Sequence, residues 1–312
     1  MHVPDGFINA SVSAATGVIS FGTLWAYIRS ASSLIADKFI ALTGMMTALI
    51  FVLQMINFPV AAGTSGHLLG GALAVIVLGP RLGLICLSVV VIIQSLLFAD
   101  GGLSALGINV MNMAIVTSVT AWVVVKYWIK FIGKTSSSLI IVSVLSGIVS
   151  VVFSSIAFMV QYILGGTISI PVGTVLIAMI SVHFLIGLGE GVITALIVGL
   201  LIRVRPDLIY AYDREDKNTT AVSFYGLFIM LILLLSLITP FASSSPDGLE
   251  SVAEEFGFQE TDGIVLLLED YGISTINNNF VSTFLSALLG IASIAIITAV
   301  FMKRRESGKN ST

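Results

Sequence analysis

Met1-His2-Val3-Pro4-Asp5-Gly6-Phe7 stands directly before an apolar run, residues 8–28, that stops at Arg29. An apolar run of about 17–25 residues matches a membrane-crossing helix. A cleaved secretory signal would carry basic residues ahead of the run, and this segment carries Asp5 and no Lys or Arg. The run is therefore expected to stay as a membrane span, with the seven residues before it outside lipid. Methionine removal is not expected, because His2 is too large for the usual aminopeptidase.

The same reading extends along the chain. Hydrophobic residues make up 57% and charged residues 10%, against about 25% charged in a soluble domain. Such a chain is expected to be an all-α polytopic membrane protein, because a helix satisfies its own backbone in lipid. Apolar runs at about 39–56, 67–79, 82–98, 103–126, 139–164 and 172–202 predict about seven spans, with Pro80-Arg81 as the turn between the third and the fourth. Residues 208–220 read as a polar linker with Asp213, Arg214, Glu215, Asp216 and Lys217. A two-helix hairpin module, 221–312, is expected after it, with spans at about 221–238 and 275–302. Its connecting loop is acidic: Asp247, Glu250, Glu254, Glu255, Glu260, Asp262, Glu269 and Asp270.

Orientation follows from the basic residues. Arg29 and Lys38, Arg81, Lys126 with Lys130 and Lys134, and Arg203 with Arg205 all follow odd-numbered spans. By the positive-inside rule, the N-terminus is extracellular and the end of the chain, at Lys303-Arg304-Arg305, is cytoplasmic. Met1, His2 and His67 then share the outer side.

That placement matters because Met1 and His2 carry three nitrogens able to chelate one ion: the amine, the His2 amide and His2 Nδ1. Amine and amide close a five-membered ring; amide and Nδ1 close a six-membered one. One more imidazole would complete a square of nitrogens, a geometry preferred by Ni(II) or Cu(II). His67 lies in the flexible run Gly63-Thr64-Ser65-Gly66-His67-Leu68-Leu69-Gly70-Gly71 and is the candidate fourth donor. The alternative is that His2 is a solvated residue of a frayed terminus. Asp5 is either a turn residue after Pro4 or an acceptor for the outer ring N–H of His2 or His67.

His183 and Glu190 are seven positions apart and share one helix face, either as functional groups near the pocket or as buried polar residues that fix helix packing. Asn109 and Asn112 would hydrogen-bond across the bundle or line the pocket. Gly44 and Ala48 form a small face suited to internal packing or to another membrane subunit. Cys86 is the only cysteine, which excludes disulfide frameworks and thiolate metal sites. No phosphate-binding GK[ST] loop is present and no nucleophile–base set appears, so no enzyme is expected. The net charge of −3 without a basic tract gives no sign of nucleic acid.

Taken together, Met1 to Phe7, Gly66-His67-Leu68-Leu69-Gly70-Gly71, the stretch Gly101 to Met113 and the His183 to Gly191 motif resemble the substrate-binding subunit of energy-coupling-factor nickel/cobalt transporters. The resemblance covers roughly residues 1–207. Pro246-Asp247-Gly248-Leu249-Glu250 resembles the small companion subunit of those systems, here fused to the first. The resemblance implies a bundle like that of the substrate-specific (S) component, with Met1, His2 and His67 holding Ni2+ or Co2+ as the transported substrate and no prosthetic group. It also implies partners outside the chain, a membrane coupling (T) subunit and ABC-type ATPases. The rival reading is a stand-alone secondary permease with His183 and Glu190 as a proton relay. The acidic loop would concentrate cations or, by docking, help load the first module; removing the hairpin is expected to leave equilibrium metal binding nearly intact.

The chelate makes one demand that does not depend on the fold. Inserting one residue between Met1 and His2 should abolish high-affinity metal binding while leaving the spans intact. Undiminished calorimetric binding by the extended protein would remove the three-nitrogen chelate.

Overall fold

The computed structural model describes residues 1–32, 37–60, 63–168, 171–212, 223–257, 268 and 271–309. Glu260, Asp262, Glu269 and Asp270 of the acidic loop, and Asp213 to Lys217 of the expected linker, lie outside the described residues. The protein is an all-helical membrane bundle. In chain order the helices are α1 (Ala10–Ser32), α2 (Asp37–Gln54), α3 (Gly71–Phe98), α4 (Leu106–Asn109), α5 (Thr117–Ile132), α6 (Ser136–Gly165), α7 (Val172–Val204), α8 (Phe224–Ser236), α9 (Gly248–Glu255) and α10 (Asn279–Lys309). A π-helical stretch, Val110–Val116, joins α4 to α5. Two short strands, Phe58–Pro59 and Ser65–Gly66, pair antiparallel between α2 and α3.

By length and composition six helices among the described residues can cross a membrane, with 71–98 counted as one. Helix α3, however, makes two passes. Gly79 has φ 79° and ψ 170°, and the Pro80 that follows has no N–H to continue a helix. A Cβ on Gly83 would lie 3.0 Å from the backbone carbon of Ala74. Along an unbroken helix these residues would be roughly 13 Å apart. The chain therefore folds back at Gly79 into a short arm, 71–78, and a long arm, 80–98. These are the two spans expected on either side of Pro80-Arg81, except that the turn falls at Gly79 and the first is helical only from Gly71.

A short buried helix leaves backbone groups unpaired at both ends, and α7 with its extension satisfies both. At the start of the short arm, Glu190 Oε2 accepts from the Leu69 and Gly70 amides at 2.7 and 3.2 Å. At the fold-back, the amides of Tyr210 and Ala211 donate to Val77 and Ile76 carbonyls, each at 3.1 Å. The segment 65–70, which carries His67, is thus held between α7 and the fold-back arm.

Helices α6 and α7 meet through glycine. A Cβ on Gly147 would lie 2.7 Å from Gly191 Cα, and one on Gly187 would lie 2.9 Å from Ile148 Cα; small residues allow backbones this close. Gly44 of α2 receives Thr298 of α10, and Gly290 of α10 receives the Phe51 ring. The small face of α2 is therefore used for internal packing against the C-terminal helix. Gly147→Ala should lower the melting midpoint in detergent, by about 1–3 kcal/mol of overpacking. Gly22→Ala on the exposed face of α1, where nothing lies within 4 Å, should not. Equal effects would show that the α6–α7 contact is not tight.

Candidate metal centre

The N-terminal segment is bound into the bundle. Val3 donates its amide to Asn109 Oδ1 at 2.8 Å, and its carbonyl accepts from Asn109 Nδ2 at 3.2 Å and from the Gly102 amide at 3.0 Å. Asn109 thereby holds both backbone groups of Val3. Further along, Asn9 donates to the Gly165 carbonyl at 2.7 Å and Thr167 to that of Phe7 at 3.1 Å. Phe7 sits in an apolar cluster with Phe158 and Tyr162, its ring centroid 5.9 Å from each. Met1 is only 2% exposed, so a frayed terminus is excluded.

Asp5 lies on this segment, and its carboxylate accepts from the Leu103 amide at 3.2 Å, the Ser104 amide at 2.7 Å and Ser104 Oγ at 2.5 Å. It anchors the turn after α3. Of the two readings of Asp5 this is the turn residue, and the acceptor beside a histidine ring is Asp100, whose Oδ1 lies 2.8 Å from His2 Nδ1. Burial pushes the Asp100 carboxyl up, but the His2 charge and hydrogen bond, helped by His67 and Tyr271, outweigh it and hold the pKa at about 2.

At the centre, the Met1 amine lies 3.1 Å from His67 Nε2. His67 Nδ1 donates to the Leu68 carbonyl at 3.0 Å, which leaves the Nε2 lone pair facing the amine. Burial first, then the Met1 ammonium and His2, lower the His67 pKa to about 3; a neutral imidazole is the form a metal ion binds. In a square of nitrogens at about 2.0–2.1 Å from a first-row ion, neighbouring nitrogens are about 2.9 Å apart. The amine and His67 Nε2 are close to that spacing. In the chelate the open corner lies between the amine and His2 Nδ1, which is where His67 would enter.

One donor is turned away from this arrangement. His2 Nδ1 is on Asp100, and Nε2 lies 3.3 Å from Gln94 Oε1. The His2 and His67 rings stack at 5.1 Å with a 27° tilt. Binding through Nδ1 requires the His2 ring to leave Asp100. Among the described residues, no group of three or more His, Cys, Asp or Glu side chains is placed to hold a metal ion. The candidate centre takes its donors from the amine and backbone as well as from side chains.

His183 and Glu190 are buried on α7. His183 Nδ1 donates to the Met179 carbonyl at 2.7 Å, within its own helix. Glu190 receives backbone amides at the start of the short arm. No hydrogen bond described for either residue joins the two.

Sequence reading missed Asp100, Gln94, Tyr271 and the role of Asp247. Asp247 Oδ2 lies 2.8 Å from the Met1 amine. Burial would raise its pKa, but the ammonium beside it, with the Glu250 amide and His67, holds the carboxyl well below the usual range. Its signal was present in the Pro246-to-Glu250 motif, but nothing local tied that motif to residue 1.

His67→Ala should weaken metal binding by more than the roughly 10–100-fold lost when a hydrogen-bond partner behind a ligand is removed. The absorption band of bound Ni(II) should also move. If spectrum and affinity stay as they were, the fourth nitrogen lies elsewhere.

A family model described as cobalt uptake substrate-specific transmembrane region matches residues 2–208, and one described as PDGLE domain matches residues 222–305. A putative fused nickel transport protein NikMN of Archaeoglobus fulgidus is 32% identical over 93% of this chain and 94% of its own length. The cobalt transport protein CbiM of Geobacter sulfurreducens is 26% identical over 85% of this chain and 81% of its own. A crystal structure of a truncated transition metal transporter superposes with a TM-score of 0.58 at 25% identity, covering 65% of this chain and 99% of that one.

Proposed function

Because the chain belongs to the cobalt uptake substrate-specific transmembrane family, we propose that it captures Ni2+ or Co2+ outside the cell through Met1, His2 and His67. It delivers the ion inward as the substrate-specific subunit of an ATP-driven energy-coupling-factor transporter. Relatives named for nickel and for cobalt transport support this cargo. The observation that carries the site is the 3.1 Å approach of the Met1 amine to His67 Nε2. In this reading, residues 1–207 form the metal-binding module, 208–220 the cytoplasmic linker and 221–312 the fused companion module. ATP hydrolysis resides on separate ATPases, joined through a membrane coupling subunit.

The residues divide the work. Asn109 fixes the peptide after His2, so the chelate is presented in one position. The Leu68 carbonyl fixes the His67 tautomer. On loading, the ammonium and the His2 amide each release a proton to solvent, and the His2 ring leaves its Nδ1 proton with Asp100 as it turns to the ion. The relay reading finds no support in the positions of His183 and Glu190, each of which serves backbone groups.

Metal binding should therefore release protons and weaken as pH falls. Calorimetry in buffers of different ionisation enthalpy should give different apparent heats. A flat affinity from about pH 8 to about pH 5.5, across the ordinary histidine range, would remove the nitrogen-donor site. In cells, uptake should require co-produced coupling and ATPase subunits that copurify with the chain. Full uptake by the chain alone would return the function to a stand-alone permease.

A further inference from the structure

The acidic loop meets the metal centre at one defined residue. Pro246 accepts the Ser65 amide at 2.8 Å, and Ser65 Oγ donates to the Ser245 carbonyl at 2.6 Å. Ser65 and Asp247 form a parallel bridge, two residues from His67. Behind it, Leu249 and Ala253 of α9 are 0% and 3% exposed, in the same apolar cluster as Met1, Val3 and Phe7. The loop is therefore seated against the N-terminal segment by backbone pairing and by apolar contact.

On that seat the two carboxylate oxygens of Asp247 have different partners. Oδ1 accepts from the Leu249 and Glu250 amides at 2.7 and 2.9 Å, and the Asp247 amide donates to Glu250 Oε2 at 3.1 Å. This is a reciprocal cap on the start of α9. Capping uses only Oδ1. Oδ2 is directed to the Met1 amine at 2.8 Å.

We propose that Asp247 is a positioning residue of the metal centre, and that its Oδ2 holds the Met1 amine by one N–H both before and after the ion binds. The inference rests on the reading that Met1, His2 and His67 bind the ion. A metal-bound primary amine still carries two N–H groups, so this contact survives loading. The N–H that faces His67 marks the side from which the ion enters. A carboxylate behind a ligand fixes its direction and raises its donor strength; here the ligand is a chain terminus. The companion module thereby completes a site otherwise built by the first 207 residues, so its removal, expected from the sequence to leave equilibrium binding nearly intact, should instead weaken it. Tyr271 acts from the same segment: its hydroxyl donates to Asp100, the partner of His2, and its ring stacks on Phe98 at 4.9 Å.

Asp247→Asn separates the two roles, because asparagine caps a helix about as well as aspartate. Its Oδ1 keeps the α9 cap, while Nδ2 presents a donor to the donor amine. Calorimetric affinity of the full chain for Ni2+ alone should fall roughly 10–100-fold, and the Ni(II) band should move to longer wavelength as the amine becomes a weaker donor. Glu254→Gln, an exposed carboxylate on the same helix, should change neither. If Asp247→Asn lacks a cooperative melt, Asp247→Ser, which keeps a capping oxygen but stops short of the amine, carries the same test. Wild-type affinity in the Asp247 variant, with binding still abolished by an insertion after Met1, would reduce Asp247 to a helix cap and leave the chelate standing. Undiminished binding after that insertion would remove the chelate and the proposal together. Equal losses from the Asp247 and Glu254 variants would assign the effect to loop charge and overturn the contact.

Discussion

A terminal ammonium group buried among helices must find compensating partners, because an isolated charge in such surroundings is strongly disfavoured. The Met1 side chain is 0% exposed, and its amine lies between Asp247 and His67. Much of the local structure follows. To bring the amine there, the segment before α1 must enter the bundle, and its own peptide groups must then be satisfied. Asn109 and Gly102 do this for Val3; Gly165 and Thr167 do it for the chain beyond Phe7. The side chain of Met1 adds a contact with Ser154. The terminus is held from residue 1 to residue 9, which removes much of the ordering entropy that a flexible chelate would lose on binding an ion.

The position of His67 depends on the same accounting of backbone groups. Its segment is extended, and a glycine with φ 87° at position 70 ends it. The short helix that follows has the amides of the two residues leading into it on Glu190 and its last carbonyls on the chain after α7. A carboxylate placed on the amide end of a buried helix also meets the positive end of its dipole. Both ends of this arm thus report to α7, so displacement of α7 would be felt at His67. This gives the candidate metal centre a mechanical connection to the far end of the bundle without a polar path through it.

Hydropathy made most of the fold legible, because lipid requires long apolar helices and the basic residues punctuate them. It counted the arm 67–79 as a span from its apolar length, although only 71–78 is helical; hydropathy registers burial, not conformation. The fold-back was legible in Pro80, which cannot donate, although the turn read at Pro80-Arg81 is made one residue earlier, at the positive φ of Gly79. That Met1, His2 and His67 could meet was legible because chelate rings are fixed by covalent geometry and few other imidazoles exist. Asp100 and Asp247 were not. Each reaches a terminal residue across more than ninety positions, and an acid in a glycine turn or an acidic loop carries no local mark of its partner. For Asp5 the sequence left a turn residue and a ring acceptor both open, and the turn it occupies directs it to Ser104.

The flanking carboxylates also bear on how loading can proceed without disturbing the bundle. In the proposed chelate a divalent ion brings two positive charges, while the ammonium and the His2 amide each give up a proton to solvent and the His2 Nδ1 proton stays with Asp100. Those losses cancel the charge that the ion brings, so Asp247 faces nearly the same net charge in either state. A buried carboxylate whose counter-charge vanished would have to be protonated or resolvated, and the loop that carries it would move. With charge conserved, the loop can stay docked on Ser65, and the rearrangement is confined to the His2 ring and its partner Asp100. That economy is available only to a site whose donors lose protons on binding. A cluster of carboxylates would begin with uncompensated negative charge, and capture would then have to reorganise its surroundings.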